Sequence, residues 1–423
     1  MRVCVRFAVT GVEVLSLELA PTDLLEQVHR AVAKVLGVAG TRQQLLLGHQ
    51  LLEPSMALRC LSDWEELSLE LVLRAKGFVA TASQDGTARI WDSQGHCVHT
   101  LEGHKDSVKL AVFSPDGFLL LTAAGGRGGR PKIWSVLTGR CVQVLPQHPY
   151  AVALAAFSSD SRVLVATMDG TARLWHVSGQ LLQRFQHRGT VTSAEFSKNE
   201  LLTGSWDKTA KIWKLRSPKA AGLAQKVLGC FSCFQQSRDD CITLEGHQHA
   251  VLSACYGPNC VLTASVDGTA KIWDRRGVLE QTLQGHALGV FSASFSADSR
   301  LVLTASWDRT AKIWDAARGV CLKTLEGHGL AVRSALFSKD GAAVLTASDD
   351  GSAKIWNAGS GACLRTLARP GHAIRVAVFS PDASVVLTSF DDGTAQLWDA
   401  GTGLCLQTLK GHDRSVKFAR FSP

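Results

Sequence analysis

One segment recurs eight times along the chain, and this repeat limits the folds that the chain can adopt. The copy at residues 261–274, VLTASVDGTAKIWD, is typical of the set. The tryptophans that end successive copies are 38 to 43 residues apart, except for one gap of 60 that marks an insertion. A fixed period of this length predicts small units that stack side by side. The eight tryptophans are Trp91, Trp134, Trp175, Trp213, Trp273, Trp314, Trp356 and Trp398.

Each copy contains four short apolar runs, which predict four β-strands. In the copy ending at Trp314 these runs lie at 290–295, 301–305, 310–314 and 321–325, with turn residues between them. Gly327-His328 then opens the next copy. A GH…WD pattern at this period resembles the WD40 family, and the resemblance covers residues 77–423. It implies an all-β propeller in which each repeat forms one blade.

The two ends of the repeat region are complementary. The first copy, FVATASQDGTARIWD, lacks an innermost strand, and the chain ends with GHDRSVKFARFSP, an innermost strand that nothing follows. Joining them places His412 with Ser83, Asp85 and Trp91. We therefore predict eight blades in residues 77–423, with the last strand completing blade one and an insertion at 214–240 in blade four. The alternative is a truncated gene model that interrupts the last repeat.

The WD40 resemblance also implies a hydrogen-bonded chain of His, Ser or Thr, Asp and Trp inside each blade. A buried polar chain is stable only when every member has a partner. Near Trp134 the sequence GGRGGRP replaces the Asp turn, and near Trp398 the Ser position is Phe390, so these two blades depart from the pattern. The complete sets are His148, Thr167, Asp169 and Trp175; His187, Ser205, Asp207 and Trp213; His247, Ser265, Asp267 and Trp273; His286, Ser306, Asp308 and Trp314; and His328, Ser348, Asp350 and Trp356.

Residues 1–76 lie before the repeats and predict a separate α+β domain. Two alternating runs predict a β-hairpin, a helix with Val28 and Val32 on one face follows, and two more strands are expected near 44–47 and 69–73. This order resembles the β-grasp fold of the ubiquitin-like family, whose surface patch maps to Val9, Leu46 and Val72. The terminal Gly-Gly of that family is absent, so the resemblance implies a fixed docking module. The alternative is that the three residues are ordinary strand residues.

Composition narrows the class of protein. A hydrophobic content of 46% with 19% charged residues predicts a packed core. The net charge of +8 is spread along the chain, so we do not expect nucleic-acid binding. No apolar run is long enough for a transmembrane helix or a signal peptide, and we expect a monomeric protein in the cytoplasm or nucleus. No catalytic, cofactor or metal-binding motif is present, so we expect no enzyme activity, cofactor or metal.

The cysteines carry little functional information in the sequence. We expect reduced thiols. Cys230 and Cys233 form a lone CxxC inside the insertion, and a zinc site would need a second pair. The insertion is predicted to be a loop that contacts a partner or a membrane surface. Six other cysteines share one repeat position and are predicted to be small buried side chains: Cys97, Cys141, Cys241, Cys321, Cys363 and Cys405.

Two positions of each repeat face the top of the propeller in the WD40 family, and their residue types divide the ring into halves. One half is apolar and aromatic, and the other is basic. Exposed tryptophan and arginine are enriched in binding hot spots. We expect a site for a peptide with an apolar anchor beside acidic or phosphorylated residues. The alternative is ordinary surface variation, with Asp349 and Asp391 partly neutralising Arg333 and Arg375. The apolar residues are Trp206, Leu252, Val266, Phe291 and Trp307, and the basic residues are Arg333, Arg375, Lys417 and Lys109.

Two functions follow from these patterns. The first is a non-enzymatic scaffold for protein–protein interaction, with the propeller and the ubiquitin-like domain each binding partners. The second is a substrate receptor for cullin-RING ubiquitin ligases, because Trp273-Asp274-Arg275-Arg276 fits the box of WD-repeat receptors of that class. Most of that box is simply the repeat. The adaptor interpretation therefore rests on Asp274 and mainly on Arg276.

Overall fold

A computed structural model describes the backbone of residues 2–7, 13–18, 27–28, 30–32, 43–47, 50–51, 66–73, 77–216, 241–369 and 371–423. The chain divides into two compact units, the first formed mainly by residues 1–77 and the second mainly by residues 78–421. None of the helical segments in these ranges is long and apolar enough to cross a membrane.

The first unit contains a five-stranded mixed sheet. Its central strand β5 (Glu66–Leu73) pairs parallel with β1 (Arg2–Phe7) and antiparallel with β3 (Gln43–Leu47). The strands β2 (Glu13–Glu18) and β4 (Gln50–Leu51) are the edges and pair antiparallel with β1 and β3. Residues 27–28 and 30–32 are helical, and Val28 and Val32 are fully buried together with Val3 and Val5.

The described part of the second unit forms eight four-stranded antiparallel sheets, which confirms the prediction of an eight-bladed propeller. The last strand of the chain pairs with the first strand of the repeat region, Val416 opposite Ser83 and Phe421 opposite Val79. It therefore supplies the innermost strand of blade one. Each innermost strand contacts those of the blades on either side, so the ring is closed.

In blades one to four the strands are consecutive in the chain, except for the innermost strand of blade one. Blade one has β6 (Val79–Ser83), β7 (Ala88–Trp91), β8 (Cys97–Leu101) and β37 (Val416–Phe421). Blade two has β9 (Val108–Phe113), β10 (Leu119–Ala124), β11 (Lys132–Ser135) and β12 (Cys141–Val144). Blade three has β13 (Val152–Phe157), β14 (Val163–Thr167), β15 (Thr171–Trp175) and β16 (Leu181–Gln186). Blade four has β17 (Val191–Ser197), β18 (Glu200–Ser205), β19 (Ala210–Lys214) and β20 (Cys241–Leu244).

In blades five to eight the strands follow one another without interruption. Blade five has β21 (Val251–Tyr256), β22 (Cys260–Ser265), β23 (Thr269–Asp274) and β24 (Leu279–Gln284). Blade six has β25 (Val290–Phe295), β26 (Leu301–Ser306), β27 (Ala311–Asp315) and β28 (Cys321–Leu325). Blade seven has β29 (Val332–Phe337), β30 (Ala343–Ser348), β31 (Ser352–Asn357) and β32 (Cys363–Ala368). Blade eight has β33 (Ile374–Phe379), β34 (Val385–Phe390), β35 (Ala395–Asp399) and β36 (Cys405–Leu409).

The hydrophobic core of the propeller lies between neighbouring blades. Trp314 of blade six packs against Leu262 and Ile272 of blade five, and the other repeat tryptophans are buried in the same way. The second strand is buried along nearly its whole length because both faces of each sheet are covered. A blade therefore has no complete core of its own, and its stability depends on its neighbours.

The repeat-position cysteines differ from the prediction of burial. Cys97, Cys141, Cys321, Cys363 and Cys405 are exposed, and Cys241 is partly exposed. They lie at the start of the fourth strand, which is the outer edge strand of each sheet and has neighbours on one side alone. The Sγ atom of Cys321 lies 3.4 Å from the carbonyl of Lys323 on its own strand. These thiols are accessible because the periphery of a blade has no further layer to cover it.

Candidate partner-binding face

A hydrogen-bonded relay links four side chains in blades one, four, five, six and seven. In blade five, Nε1 of Trp273 donates to Oγ1 of Thr263 at 2.8 Å, and Thr263 lies 2.8 Å from Nε2 of His247. Nδ1 of His247 lies 2.8 Å from Oδ2 of Asp267. The other four blades repeat these contacts at 2.7–2.9 Å. The relay ties the second and third strands of each blade to the turn between them and to the entering loop.

The hydroxyl between His and Trp is not the predicted serine. Thr263 occupies that place in blade five, while Ser265, two residues later, accepts the backbone N–H of Asp267 and donates to the carbonyl of His249. Ser306 has the same role in blade six, where it accepts the N–H of Asp308. Both hydroxyls lie on one strand, two residues apart, so they share a face. The serine shapes the turn, whereas the threonine completes the relay.

Blade three lacks the complete relay that the sequence predicted. Val165 occupies the threonine position and is fully buried. Nε2 of His148 and Nε1 of Trp175 are both buried without a partner among the described residues. Arg173 instead donates to Nδ1 of His148 at 3.1 Å. Burial, followed by the nearby charge of Arg173, lowers the pKa of His148 to about 4.

The two blades predicted to depart from the pattern do so in the structure. In blade two, Trp134 and His104 share Thr122, but the turn has no Asp. In blade eight, Trp398 donates to Thr388, and His372 lies 3.5 Å from Asp391 instead of closing a relay. The fully buried Phe390 fills the serine position there.

The relay carboxylates stay ionised because hydrogen bonds outweigh the cost of burial. Burial by itself would raise the pKa of Asp267, but hydrogen bonds from His247 and Thr269 lower it well below its usual range. Burial lowers the pKa of His286, and the bond to Asp308 opposes this only in part. A carboxyl whose pKa is lower in the folded chain adds stability above about pH 4, and that stability is lost as the pH falls through the folded pKa.

The predicted apolar residues lie on the turns and innermost strands at one end of the blades, which we call the top face. Trp206 and Trp307 follow the second strands of blades four and six and are 63% and 38% exposed. Leu252, Val266 and Phe291 are partly exposed. A Cβ on Gly289 would lie 2.9 Å from the ring of Trp307 and 3.1 Å from Cα of Val266, so blades five and six are in close contact there.

The apolar and basic halves of the top face meet at Arg333. The ring of Phe291 contacts that of Trp307 edge to face, with 4.8 Å between centroids. The guanidinium of Arg333 lies 4.5 Å from the Phe291 centroid, and it binds Asp349 through Nε and Nη2 at 2.8 Å. Arg333 therefore borders the apolar half with its side chain held by Asp349 and Phe291, and the carboxylate of Asp349 balances its charge.

The remaining basic residues lie on adjacent innermost strands of blades eight, one and two. Arg375, Lys417 and Lys109 have no ion pair within the described residues. Burial, followed by the charge of Arg375, lowers the pKa of Lys417, which places these two cations close together. The cationic part of the top face is therefore narrower than the sequence suggested, and it is centred on blade one.

Several exposed apolar residues of the top face were missed in the sequence. Leu288, Leu330 and Tyr150 each lie two residues after a relay histidine and are about half exposed. Met168, which precedes the turn Asp of blade three, is also exposed. The sequence signal that would have found Leu288, Leu330 and Tyr150 is an apolar residue two positions after the histidine that opens a copy. These residues extend the apolar half from blade three to blade seven.

The residues of the ligase-receptor box lie at the opposite ends of the strands. Oδ1 of Asp274 accepts the backbone N–H groups of Arg276 and Val278, so its role is to cap the turn between β23 and β24. Arg276 is exposed. Arg275, which the sequence did not single out, stacks 4.1 Å from the Tyr256 ring centroid and binds Glu200 at 2.9 Å.

Part of the predicted surface lies outside the described residues. Val9 and residues 217–240 with Cys230 and Cys233 belong to this part. Leu46 lies in β3 opposite Glu70, and Val72 lies in β5 opposite Gln44. The predicted insertion began one residue early, because Lys214 is the last residue of β19 and pairs with Glu200. Residues 215–216 follow β19, and β20 resumes the sheet at Cys241. Within the described ranges, no group of three metal-ligating side chains is arranged to hold an ion.

Comparison with known proteins agrees with this architecture. The model of the family described as WD domain, G-beta repeat matches eight segments that together cover more than half of the chain. The chain belongs to the WD40-repeat family. The matched segments are residues 72–92, 95–135, 139–176, 179–214, 239–274, 277–315, 319–357 and 361–399.

The curated relatives are distant and considerably longer than the matched region. Telomerase protein component 1 of Rattus norvegicus is 26% identical over 261 residues, which are 59% of this chain and 8% of that protein. The CCR4-associated factor 4 homolog of Candida glabrata is 27% identical over 251 residues, 59% of this chain and 36% of the relative. The ribosome biogenesis protein WDR12 homolog of Drosophila mojavensis is 27% identical over 55% of this chain and 46% of its own length. The WD40 chain thus spans less than half of each.

Two solved structures share the propeller. The computationally designed Ika8 protein superposes with a TM-score of 0.62 at 28% identity, covering 75% of this chain and 91% of its own. The WD40 β-propeller domain of Doa1 superposes with a TM-score of 0.50 at 27% identity, covering 62% of this chain and 83% of its own.

Proposed function

We propose that the protein is a non-enzymatic scaffold whose top face binds a peptide segment of a partner protein. Membership of the WD40 family supports the general role of protein interaction. The observation that carries the specific site is the pair of exposed tryptophans on blades four and six, because large exposed aromatic side chains on turns are typical of binding hot spots. A rigid scaffold that presents residues on turns is also the common arrangement for binding sites.

The contacts of the site define the kind of segment that fits. An apolar side chain of the partner would lie against Trp307 and Phe291. These two rings pack edge to face, and the paired guanidinium of Arg333 lies over the Phe291 ring and holds it in place. Acidic or phosphorylated residues of the same segment would reach Arg375 and Lys417 on the next blades. The apolar anchor and the negative charge lie next to each other in the segment because the apolar and basic blades are neighbours in the ring.

The double substitution of Trp206 and Trp307 by Ala tests this site. We expect each loss to weaken partner binding about thirtyfold, because a hot-spot residue contributes about 2 kcal/mol. The measurement is quantitative affinity purification with mass spectrometry, followed by titration of the partners that are lost. Leu404→Ala with Val278→Ala is the matched control, since both side chains are more than 60% exposed and lie on turns at the other ends of the strands. Equal capture by the tryptophan variant and the control contradicts the site.

The first unit is proposed to act as a ubiquitin-like docking module. The parallel pairing of β1 with β5 at the centre of a five-stranded mixed sheet supports the β-grasp assignment, as does the helical segment between β2 and β3. The burial of Val3, Val5, Val28 and Val32 supports a core between that helix and the sheet. Leu46 and Val72 remain the proposed contact residues, together with Val9.

The alternative function is a substrate receptor for a cullin-RING ubiquitin ligase. Arg276 favours it, because this exposed side chain lies on a turn that leaves the top face free for a substrate. If this function holds, Arg276→Ala will remove ligase components from the purified complex and leave the top-face partners in place. Arg318→Ala is the control, an exposed arginine on the corresponding turn of blade six. Retention of ligase components in Arg276→Ala, or their absence from the wild type, argues for the scaffold without an adaptor role.

A further inference from the structure

The glycine-rich turn of blade two encloses a cavity with an excess of positive charge. The cavity has a volume of about 600 Å³ and lies between this turn and the loop that enters blade two. Its charged lining is formed by Lys105, Arg127, Arg130 and Lys132, with Asp106 as the single carboxylate. A cavity with this charge balance favours an anion with more than one negative charge.

Five other blades show which group is missing at this place. In blade five, Oδ2 of Asp267 lies 2.8 Å from Nδ1 of His247 and accepts the backbone N–H of Gln248 at 2.9 Å. The amide that follows the relay histidine bonds the turn carboxylate in blades one, four, six and seven as well, at 2.8–3.2 Å. A carboxylate thus holds a ring N–H and a backbone N–H in each of these blades. In blade two, Gly126 stands where the aspartate would be.

The corresponding donors of blade two have no acceptor within the described residues. These donors are Nδ1 of His104 and the backbone N–H of Lys105, and both residues line the cavity. Trp134 donates to Thr122 at 2.7 Å, so the hydroxyl hydrogen of Thr122 is available for Nε2 of His104, also at 2.7 Å. A neutral imidazole that accepts at Nε2 carries its hydrogen on Nδ1. Burial, followed by the charge of Lys132, lowers the pKa of His104 to about 4, so the ring is neutral at pH 7.

The size and chemistry of the cavity distinguish between classes of anion. A carboxylate would satisfy the two N–H donors but would leave most of the positive charge unbalanced. A phosphate monoester carries nearly two negative charges and has three acceptor oxygens, which suits two N–H groups and several cations. The lining residues include no Phe, Tyr or Trp, so a nucleotide base would have no large aromatic ring on which to stack.

The glycine-rich turn that borders the cavity also contacts the cationic part of the top face. A Cβ on Gly125, the first residue of the turn, would lie 2.2 Å from Cε of Lys109. Lys109 is the blade-two member of the three basic residues without an ion pair, next to Lys417 of blade one. A peptide that crosses this part of the face would therefore bring a side chain to the mouth of the cavity.

We propose that the cavity of blade two binds the phosphate group of a phosphoserine or phosphothreonine side chain in a partner segment. This inference rests on the proposed function, since it specifies the negatively charged part of the segment that the top face would hold. The backbone N–H of Lys105 and Nδ1–H of His104 donate to phosphate oxygens, which take the place of the aspartate oxygens in the other blades. Arg127 and Arg130 on the turn balance the charge.

The test is a ³¹P NMR titration of the full chain with the N-acetyl amide of phosphoserine at constant ionic strength. The wild type should broaden and shift the resonance saturably, and Arg127→Gln with Arg130→Gln should weaken binding at least about tenfold. The matched control is Lys208→Gln with Arg309→Gln, because these exposed residues lie on the same turn in blades four and six, where the aspartate is present. Equal binding by the wild type and the blade-two variant overturns the proposal, as does an equal loss in the control.

A second variant separates binding from folding. Gly126→Asp restores a carboxylate at the aspartate position while keeping every cation, and the side-chain end of Asp106 is the group that would have to move. It should retain the wild-type melting temperature and lose phosphoserine binding. A Gly126→Asp protein that melts normally and binds phosphoserine as tightly as the wild type overturns the proposal.

Two competitors identify the source of the phosphate. Adenosine monophosphate that binds more tightly than phosphoserine would show a nucleotide site, and the N-acetyl amide of aspartate displacing phosphoserine at equal concentration would show a carboxylate site. Either result overturns the assignment to a phosphorylated side chain. The tryptophan variant of the top face should bind phosphoserine normally. If this variant binds phosphoserine normally and still captures its partners, the peptide site fails and the phosphate site stands. If the tryptophan variant loses its partners but the wild type does not bind phosphoserine, the phosphate site fails and the peptide site stands.

Discussion

Deleting residues 411–423 is expected to lower the melting temperature by about 10 °C or more, because blade one then loses its innermost strand. Val416 and Ala419 of β37 are fully buried, and His412 completes the relay of Trp91 and Thr81. Their burial and hydrogen bonds contribute on the order of 5 kcal/mol. In a protein of this size 1 kcal/mol corresponds to about 2 °C. The measurement is thermal unfolding followed by circular dichroism.

The deletion also opens the ring, so its effect extends beyond blade one. Blade eight packs Leu387, Leu397 and Leu409 against Val79 and Ala419 of blade one, and this surface would be exposed. Limited proteolysis should therefore cut first in blades one and eight. Val416→Asp provides a point variant with the same expected direction, and Val278→Asp at a 61% exposed position is its control. A deletion variant with an unchanged melting temperature contradicts the role of the last strand in closing the ring.

Exchanging Thr and Val at the relay position should change stability in opposite directions in two blades. Thr263→Val leaves Nε1 of Trp273 and Nε2 of His247 buried without a partner, and we expect a loss of about 2–4 kcal/mol. Val165→Thr supplies an acceptor to Trp175 and His148, which lack one, and we expect a gain of about 1–2 kcal/mol. The two side chains have nearly the same shape, so packing changes little. The free energy of unfolding in urea measures both.

Val165→Thr is expected to stabilise blade three because of the position of the ring hydrogen on His148. Because Arg173 donates to Nδ1, the neutral ring carries its hydrogen on Nε2. A threonine oxygen at position 165 has two lone pairs, which suffice for this hydrogen and for that of Trp175. Its own hydrogen would point to the carbonyl of Arg173, which holds the place of the Lys271 carbonyl that lies 3.4 Å from Oγ1 of Thr263 in blade five. If Val165→Thr destabilises the protein as much as Thr263→Val, the assignment of unpaired groups in blade three is wrong.

The sequence shows which residue types share a repeat position, but it does not show which side chains contact one another or are buried. The sequence left open whether Arg333 belongs to a free basic arc or is neutralised by Asp349. In the structure Asp349, on the turn after β30, forms a bidentate pair with Arg333 that removes its free charge. The repeat-position cysteines were predicted to be buried because they recur beside apolar residues. They are exposed instead, because the fourth strand is the outer edge of the sheet and no further layer covers it.

The repeat period predicts the number of blades, and the pattern of apolar runs and turn residues within each copy predicts the four strands of each blade. These features are local, since a strand pattern needs only its own residues and a repeat needs only its neighbours. The choice between Thr263 and Ser265 in the relay was not local, because both face the same side of one strand and the distance to Trp273 alone distinguishes them. The cavity of blade two depends in the same way on the folded chain. It exists because a turn without an aspartate meets the loop of His104, and only the packed strands bring these segments together.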